Sequence, residues 1–123
     1  ISPIFIFKDE KPILALGAAG GSRIPSSIVN VISNIIDKGM TLPEALYYPR
    51  VHPLENAINL EVVDGIGWNE SDSIYFSQKG YNVEMTRLSA KFGRIHAVML
   101  DTTTGEWIGC ADPDWEGTAK SIE

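Results

Sequence analysis

The sequence has a single cysteine, little positive charge and no long apolar run. Its one cysteine, Cys110, excludes an intrachain disulfide and a zinc site built from several cysteines. Ten basic residues against sixteen acidic ones give a net charge of −6, which argues against a nucleic-acid-binding face. No apolar stretch approaches the roughly 20 residues that a membrane-spanning helix needs. These absences favour a globular domain that binds neither nucleic acid nor a bilayer interior.

The length and composition are those of one globular domain. The chain has 123 residues, of which 44% are hydrophobic, so residues 1–123 are treated as a single domain with a sizeable core. The sequence begins at Ile1 without a methionine, and residues 4–7 already form a strand-like apolar run. Natural N-termini usually begin more loosely than this. We therefore expect a processed or excised piece of a longer chain, with removal of a tag as the alternative.

Hydrophobic patterning predicts an α+β fold with the element order ββ-αα-β-α-β-ββ. The apolar runs at 4–7 and 13–16 predict a hairpin that is buried on both faces, because neither run alternates with polar residues. Apolar residues at three- and four-residue spacing after Pro25 predict a helix that Gly39 ends. Irregular chain is predicted at 49–59 and after Asp112. The remaining predicted elements are a short helix capped by Thr41, a strand at 58–62, a helix at 69–79, a strand at 83–88, and a hairpin of 95–100 with 106–110.

A glycine-rich segment joins the second predicted strand to the first helix. Gly20 and Gly21 are followed there by Ser22, Arg23 and the start of the helix. Consecutive glycines expose backbone N–H groups, and a helix N-terminus adds partial positive charge, so the segment is a candidate anion site. It can hold a phosphate, a carboxylate or a developing oxyanion, or it can be a tight turn without a ligand. It has neither the lysine of a P-loop nor the glycine spacing of a dinucleotide fingerprint.

The other polar residues carry weaker signals. His52 and His96 are far apart in the sequence and form no metal-ligand spacing with the scattered carboxylates, so no metal and no cofactor are expected. Both histidines are expected to be structural. For Arg23, an ion pair that supports the start of the helix is favoured over anion binding. Asp112 and Asp114 flank a proline, which is more typical of a turn than of an acid/base pair.

Several motifs together resemble the small subunit of γ-glutamyltransferases. Residues 17–24 are similar to that family's glycine-(serine)-proline-glycine-glycine-serine-arginine-isoleucine loop, and Asp37 with Gly39 resembles its helix end. Residues 49–52 resemble an alanine-proline-arginine-(phenylalanine)-histidine segment, and residues 109–113 match a late glycine-x-x-aspartate-proline. The resemblance covers nearly the whole chain.

This resemblance implies part of an N-terminal-nucleophile hydrolase with an αββα four-layer sandwich. In that family a threonine exposed by autocatalytic cleavage attacks a γ-glutamyl amide, with its own α-amine as the base. The acyl group then passes to water or to an amino-acid acceptor. Two loop glycines donate their N–H groups to the oxyanion, and these correspond here to Gly20 and Gly21. Ser22 and Arg23 then become candidate substrate-binding residues.

Several residues of the family pattern are missing or replaced in this chain, so we expect it to supply only part of the active site. The threonine and a pair of substrate-binding serines belong upstream of Ile1, and a carboxylate-binding arginine belongs to the large subunit. Ala18 and Ala19 replace the usual serine-proline, and Asp114 stands where the family usually has arginine. We expect the C-terminal part of a small subunit, inactive alone, that pairs with the large subunit and the rest of the small subunit. Exposed apolar surface should make the isolated chain self-associate.

Two other functions stay open on the sequence alone. One is a non-catalytic domain that binds an anion or a peptide on the same fold, and the other is an interaction domain with an empty glycine turn. The residues that precede Ile1 discriminate between these and the enzyme. A threonine that opens a strand, with a serine pair just before Ile1, favours the enzyme. The localisation stays open, since the family includes periplasmic, secreted, membrane-anchored and intracellular members.

Overall fold

A computed structural model describes residues 3–87 and 91–122 and contains both helices and strands within them. This mixture confirms the α+β class. The elements in chain order are β1 (Ile4–Lys8), β2 (Lys11–Ala19), a 3-10 turn (Gly21–Arg23), α1 (Ile24–Ile36), α2 (Leu42–Tyr47), β3 (Val51–Pro53), β4 (Ala57–Val63), β5 (Ile66–Gly67), α3 (Glu70–Gln78), β6 (Asn82–Thr86), β7 (Arg94–Leu100) and β8 (Trp107–Ala111).

The first sheet has the strand order β1-β2-β7-β8, and all its neighbours are antiparallel. In the central pair, Leu16 lies opposite Ala97 and Ala18 lies opposite Ile95, so these side chains share one face. That face packs against α1 and α2 and forms the main core. The fully or nearly fully buried members of this core include Leu14, Leu16, Ile28, Val31, Ile35, Leu42, Leu46 and Ile95.

The opposite face of the same sheet is open along β1, and for that strand the expected burial on both faces is wrong. Phe5 and Phe7 are 62% and 61% exposed, whereas Ile4 and Ile6 pack against the core. Successive side chains of a strand point to opposite faces, so a run of apolar residues is buried on both faces only where both are covered. The inner face is covered by α1, whereas the described residues leave both phenylalanine side chains mostly accessible to solvent.

The second sheet has the order β3-β4-β5, and β6 pairs in parallel with β4. The structure therefore corrects the prediction of irregular chain over 49–59, because β3 pairs with β4 and places Val51 opposite Leu60. β5 is a further short strand that the predicted element order lacks, and it pairs antiparallel with the end of β4. The strand predicted at 83–88 is β6 and is shorter, and residues 88–90 lie outside the described residues.

The helices begin close to where the sequence predicts. Thr41 and Glu44 form the expected capping box of α2, and Asn69 caps α3 in the same way. α1 ends at Ile36, before Gly39, whose φ of +68° is left-handed. None of the helices in the described ranges is both long and apolar enough to cross a membrane.

The tail is less loose than expected. It has no regular secondary structure among residues 112–122, but it contacts the open face of the first sheet. The carbonyl oxygen of Glu116 lies 3.1 Å from Nε2 of His96. A Cβ atom placed on Gly117 would come within 2.9 Å of the same ring, so the tail backbone lies directly against β7 there.

Candidate functional site

The glycine segment forms a tight connection between β2 and α1. Gly20 has φ +136° and Gly21 has φ +59°, both in the region that L side chains rarely adopt. The amide of Arg23 donates a hydrogen bond to the carbonyl of Gly20 at 3.2 Å and closes the turn. Both glycines are exposed, so the turn is open to solvent rather than sealed by the fold.

The amides of the two glycines have no hydrogen-bond acceptor among the described residues. Within the described ranges, the amides of Gly20 and Gly21 donate no hydrogen bond to the protein. The first turn of α1 follows directly and adds the partial positive charge of its N-terminus. Neighbouring N–H groups at a helix start are a common way to hold a carboxylate, a phosphate or an oxyanion.

Gly93 supports the glycine turn from the inside. A Cβ on Gly20 would lie 3.0 Å from the Cα of Gly93, and a Cβ on Gly93 would lie 2.9 Å from Ser27 Oγ and 3.1 Å from the Arg23 carbonyl oxygen. The amide of Gly93 donates to Ser27 Oγ at 2.8 Å. The turn is therefore packed backbone to backbone against the residue that precedes β7, with no room for a side chain at either glycine.

A buried arginine holds Gly93 in place. Arg50 is 2% exposed, and its Nη1 donates to the carbonyl of Gly93 at 2.6 Å and to Oδ2 of Asp112 at 2.7 Å. Its Nη2 donates to the carbonyl of Leu46 at 3.0 Å. The backbone amide of Arg50 also donates to the carboxylate of Glu61. Burial raises the pKa of Glu61, and the hydrogen bond from Arg50 opposes this effect. Arg50 thus joins α2, β4, the start of β7 and the end of β8.

Asp112 lies in a turn, as predicted, but its carboxylate is committed to this buried network. Besides Arg50, Oδ2 accepts a hydrogen bond from the amide of Ile95 at 2.8 Å, and the amide of Asp112 donates to the carbonyl of Ile95 at 2.8 Å. The amide of Trp115 donates to the carbonyl of Asp112 at 2.9 Å and closes the turn. Sequence reasoning missed the ion pair, because Arg50 and Asp112 belong to two separate motifs and no local pattern pairs them.

His52 lies on β3 and has a structural role there, with a side-chain hydroxyl as its hydrogen-bond partner. Its Nδ1 is 2.7 Å from Ser26 Oγ, and the Ser26 hydroxyl donates to the carbonyl of Arg23 at 3.1 Å. Because that hydroxyl has one proton, Nδ1 of His52 is assigned as the donor of the first bond. Burial, and secondly the charge of Arg23, lower the pKa of His52. A neutral imidazole therefore supports the end of the glycine turn.

The other predicted site residues flank the two glycines. Ser22 is exposed, and Arg23 is half-buried. The ion pair expected for Arg23 is not among those that the described residues form. Cys110 is half-buried against the core, as a small hydrophobic residue should be. Residues 3–87 and 91–122 contain no group of three or more metal-ligating side chains.

Comparisons with known proteins agree on one family. Residues 1–122 match the family model described as Gamma-glutamyltranspeptidase. The chain is 27% identical over 122 residues to the glutathione hydrolase proenzyme of Bacillus subtilis (strain 168), covering 99% of this chain and 20% of that protein. It is 30% identical over 115 residues to the glutathione hydrolase proenzyme of Escherichia coli (strain K12), covering 92% of this chain and 18% of that protein. The chain thus spans about a fifth of the length of these curated relatives.

Solved structures give the same result. The T380A mutant of Helicobacter pylori gamma-glutamyltranspeptidase superposes with a TM-score of 0.77 at 28% identity, covering 91% of this chain and 59% of that chain. The Bacillus anthracis transpeptidase enzyme CapD superposes with a TM-score of 0.80 at 25% identity, covering 98% of this chain and 70% of that chain. The fold expected from the sequence motifs is confirmed by these neighbours.

Proposed function

The chain belongs to the gamma-glutamyltranspeptidase family, and we propose that it supplies the oxyanion-binding loop of an enzyme that hydrolyses or transfers γ-glutamyl groups. The observation that carries the proposal is the turn at Gly20 and Gly21, two exposed residues whose amides have no protein acceptor among the described residues. Negative charge develops on the carbonyl oxygen when a γ-glutamyl amide is attacked. Two amides aimed at that oxygen stabilise the transition state more than the neutral substrate.

The proposed reaction has two steps. A threonine hydroxyl supplied upstream of this chain attacks the γ-carbonyl carbon, and its own α-amine takes the proton. The C–O bond forms, and the oxyanion is held by the amides of Gly20 and Gly21. The intermediate then collapses: the C–N bond breaks, and the leaving nitrogen takes the proton back from the α-amine and departs as an amine. Water or an amino-acid amine then attacks the γ-glutamyl ester and regenerates the threonine. One oxyanion donor is worth about 3–4 kcal/mol of barrier in such reactions.

The packing beneath the loop supports this role because it fixes the turn at Gly20 before substrate binds. Gly20 is packed against Gly93, which is held by Arg50 and Ser27. Preorganised dipoles stabilise an oxyanion without reorganising during the reaction. A flexible glycine loop would lose part of that stabilisation.

The proposal assigns the remaining parts of the enzyme to other segments. This chain is the C-terminal part of a small subunit, and it pairs with the large subunit and the rest of the small subunit. The substrates are of the glutathione type, in line with the glutathione hydrolase names of the relatives. Ser22 and Arg23 contact the substrate next to the two glycines. No cofactor takes part in either step.

The sequence that the gene encodes immediately before Ile1 tests the proposal first. We expect a pair of serines directly upstream and a threonine at the start of a strand further upstream. The second measurement is the release of p-nitroaniline from γ-glutamyl-p-nitroanilide. The full-length protein should release it, and the purified chain 1–123 should not. A gene that begins at Ile1, or that replaces the threonine, would overturn the catalytic proposal.

The alternative is a domain that binds an anion or a peptide without catalysis. It is favoured by one observation, which is that Arg23 beside the two free amides has no ion-pair partner among the described residues. In that case an upstream threonine would be absent, and the chain alone would bind a carboxylate ligand that the full-length protein does not turn over.

A further inference from the structure

A polar pocket lies towards the end of α1 that is remote from the glycine turn. Its volume is about 330 Å³, which is within the range of small-molecule sites. Asn34 follows Ile24 by ten positions in α1, or about 15 Å along the helix axis, so this pocket is separate from the proposed oxyanion site. The residues that line it include Asn34, Lys38, Tyr48, Pro49, Trp68 and Asp72.

Two opposite charges line this pocket without pairing with each other. The ion pairs within residues 3–87 and 91–122 include neither Lys38 nor Asp72. Nζ of Lys38 lies 4.7 Å from the ring centroid of Tyr48, a contact that orients the ammonium group. Oδ2 of Asp72 accepts a hydrogen bond from the amide of Asn69 at 2.9 Å, whereas Oδ1 accepts none from the part of the chain that the structure describes. A ligand with one charge of each sign can therefore engage both groups.

A buried amide in the same wall lacks a hydrogen-bond donor. Asn34 is 4% exposed, and its Nδ2 donates to the carbonyl of Ala45 at 3.4 Å. The opposite end of this amide, Oδ1, accepts no hydrogen bond from the described ranges of the chain. A buried acceptor without a donor is costly, because it has lost water and gained no partner. An ammonium group bound in the pocket would supply that donor.

The apolar walls of the pocket are already in place. The indole Nε1 of Trp68 donates to the carbonyl of Arg50 at 3.0 Å, which fixes the ring. A Cβ on Gly67 would collide with the ring of Pro49, so the backbone of β5 lies directly against that proline. A pocket that needs no rearrangement avoids the free-energy cost of ordering its walls when a ligand binds.

We propose that this pocket binds a free amino acid as its zwitterion, with Lys38 at the carboxylate and Asp72 and Asn34 at the ammonium group. The rings of Tyr48 and Trp68 contact the side chain of the ligand. The site goes beyond the proposed function, because none of its residues belongs to the glycine turn. Lys38 is exposed, so water competes for its charge, and we expect a dissociation constant on the order of 1–10 mM.

Trp68 provides a local signal for binding. The full-length protein is labelled with fluorotryptophan, and the fluorine NMR resonance of Trp68 is assigned from its absence in Trp68→Phe. L-Alanine is titrated and compared with ethylamine, which lacks the carboxylate, and with propionate, which lacks the ammonium group. We expect L-alanine to shift the Trp68 resonance along a saturating curve, and each of the other two compounds to bind at least about tenfold more weakly.

Two charge variants test the assigned roles. Lys38→Gln and Asp72→Asn are each expected to weaken L-alanine binding about tenfold, because each removes one charge-assisted hydrogen bond. The new amide in Asp72→Asn can still accept the capping hydrogen bond from Asn69. Lys79→Gln is the matched control. Nζ of Lys79 also lies over a tyrosine ring, 5.4 Å from the centroid of Tyr75, but Lys79 does not line the pocket.

The titrations decide the proposal without any measurement of catalysis. A Trp68 shift that is weakened in both charge variants and kept in Lys79→Gln supports the amino-acid site, and L-alanine bound elsewhere in the protein would not give this pattern. The proposal is overturned if L-alanine causes no shift up to about 100 mM, or if propionate or ethylamine binds as well as L-alanine. An unchanged titration in Lys38→Gln or Asp72→Asn, at a melting temperature equal to the wild type, also overturns it.

Discussion

Asp112 and Asp114 have the same side chain and lie two positions apart, yet their surroundings are opposite. Asp112 is 6% exposed and pairs with the buried Arg50, while Asp114 is exposed. Removing one member of a buried pair leaves the other charge without compensation. Comparing the free energy of unfolding after removal of each carboxylate therefore shows how strongly the structure depends on the buried Arg50 network.

We predict that Asp112→Ala lowers the free energy of unfolding by about 3–5 kcal/mol. The matched Asp114→Ala should change it by no more than about 0.5 kcal/mol, because that side chain is on the surface. Urea denaturation followed by far-UV circular dichroism measures both. Similar losses in the two variants would show that the buried ion pair is not what stabilises this corner of the fold.

Gly93 is a second residue whose contribution can be tested, because its Cα lies against the glycine turn. A Cβ at this position would lie 2.9 Å from Ser27 Oγ and 3.1 Å from the Arg23 carbonyl oxygen. Gly93→Ala is expected to cost about 1–3 kcal/mol through overpacking and to shift the amide NMR signals of Gly20 and Gly21. The control is Gly17→Ala, because a Cβ there meets nothing within 4 Å. Unshifted Gly20 and Gly21 signals in Gly93→Ala would refute the coupling.

The protonation of His52 should make the free energy of unfolding depend on pH, and the direction follows from its lowered pKa. Its pKa in the folded chain is lower than the ordinary value of 6.5, chiefly because it is buried. As the pH falls through 6.5 towards the folded-state pKa, the unfolded chain binds the proton first, so the wild type loses stability over that window.

We predict that His52→Asn, whose amide can still donate to Ser26, removes this contribution. The stability of the wild type relative to the variant should then fall as the pH is lowered from about 8 to about 5. Denaturation curves collected across that range give the difference directly. A difference that stays constant or grows at low pH contradicts the assignment of a neutral buried imidazole.

Among the secondary-structure elements, those predicted correctly are the ones whose signals lie within the element itself. α1 shows its apolar stripe, and α2 and α3 show their capping residues, so their positions follow from neighbouring residues alone. β3 has three residues, including a histidine and a proline, and becomes a strand only because β4 lies beside it. No local sequence pattern predicts such an element.

In the candidate site, too, the parts with a local sequence signal are predictable and the parts formed by distant residues are not. The turn at Gly20 and Gly21 was identifiable because consecutive glycines before a helix are a local signal. The support beneath it was not, because Arg50 and Asp112 are 62 positions apart and meet only in the folded chain. Gly93 gave no signal of its own, since its importance comes from a close approach of backbone segments.

The two capped helices differ in how much they contribute to the core. α2 buries Leu42, Ala45 and Leu46, whereas α3 has no buried residue among those described. Thr41→Ala is expected to lower the free energy of unfolding by about 1 kcal/mol. Asn69→Ala removes the equivalent cap, but α3 can fray locally without exposing core, so its global effect should be smaller.

Denaturation measures the global effects of both variants, and amide hydrogen exchange locates the fraying. Faster exchange confined to α3 in Asn69→Ala is the expected pattern. An equal global loss in both variants would contradict the view that α3 lies outside the cooperative core.

For the whole molecule, the most prominent feature is the open face of the first sheet. Phe5 and Phe7 project from it, and Val98 and Trp107 are also exposed, at 40% and 50%. Large apolar faces on soluble domains are usually covered by another domain or another chain. The chain spans about a fifth of the length of its curated relatives, and we expect another layer of the family's four-layer sandwich to provide such a cover.

We predict that the isolated chain self-associates through this face at a concentration on the order of 100 μM. The double variant Phe5→Lys/Phe7→Lys should be monomeric. Val29→Lys is the control, because Val29 is equally exposed, at 65%, but lies on α1. Static light scattering gives the mass of all three. A monomeric wild type would count against the open face as an interface.

A crystal structure of the full-length protein with a γ-phosphono analogue of glutamate shows most directly whether the amides of Gly20 and Gly21 bind the oxyanion. The tetrahedral phosphonate imitates the oxyanion intermediate. We predict one phosphonate oxygen at about 2.7–3.1 Å from both amide nitrogens. A phosphonate oxygen held by other donors, with both glycine amides turned away from it, would contradict the proposed oxyanion site.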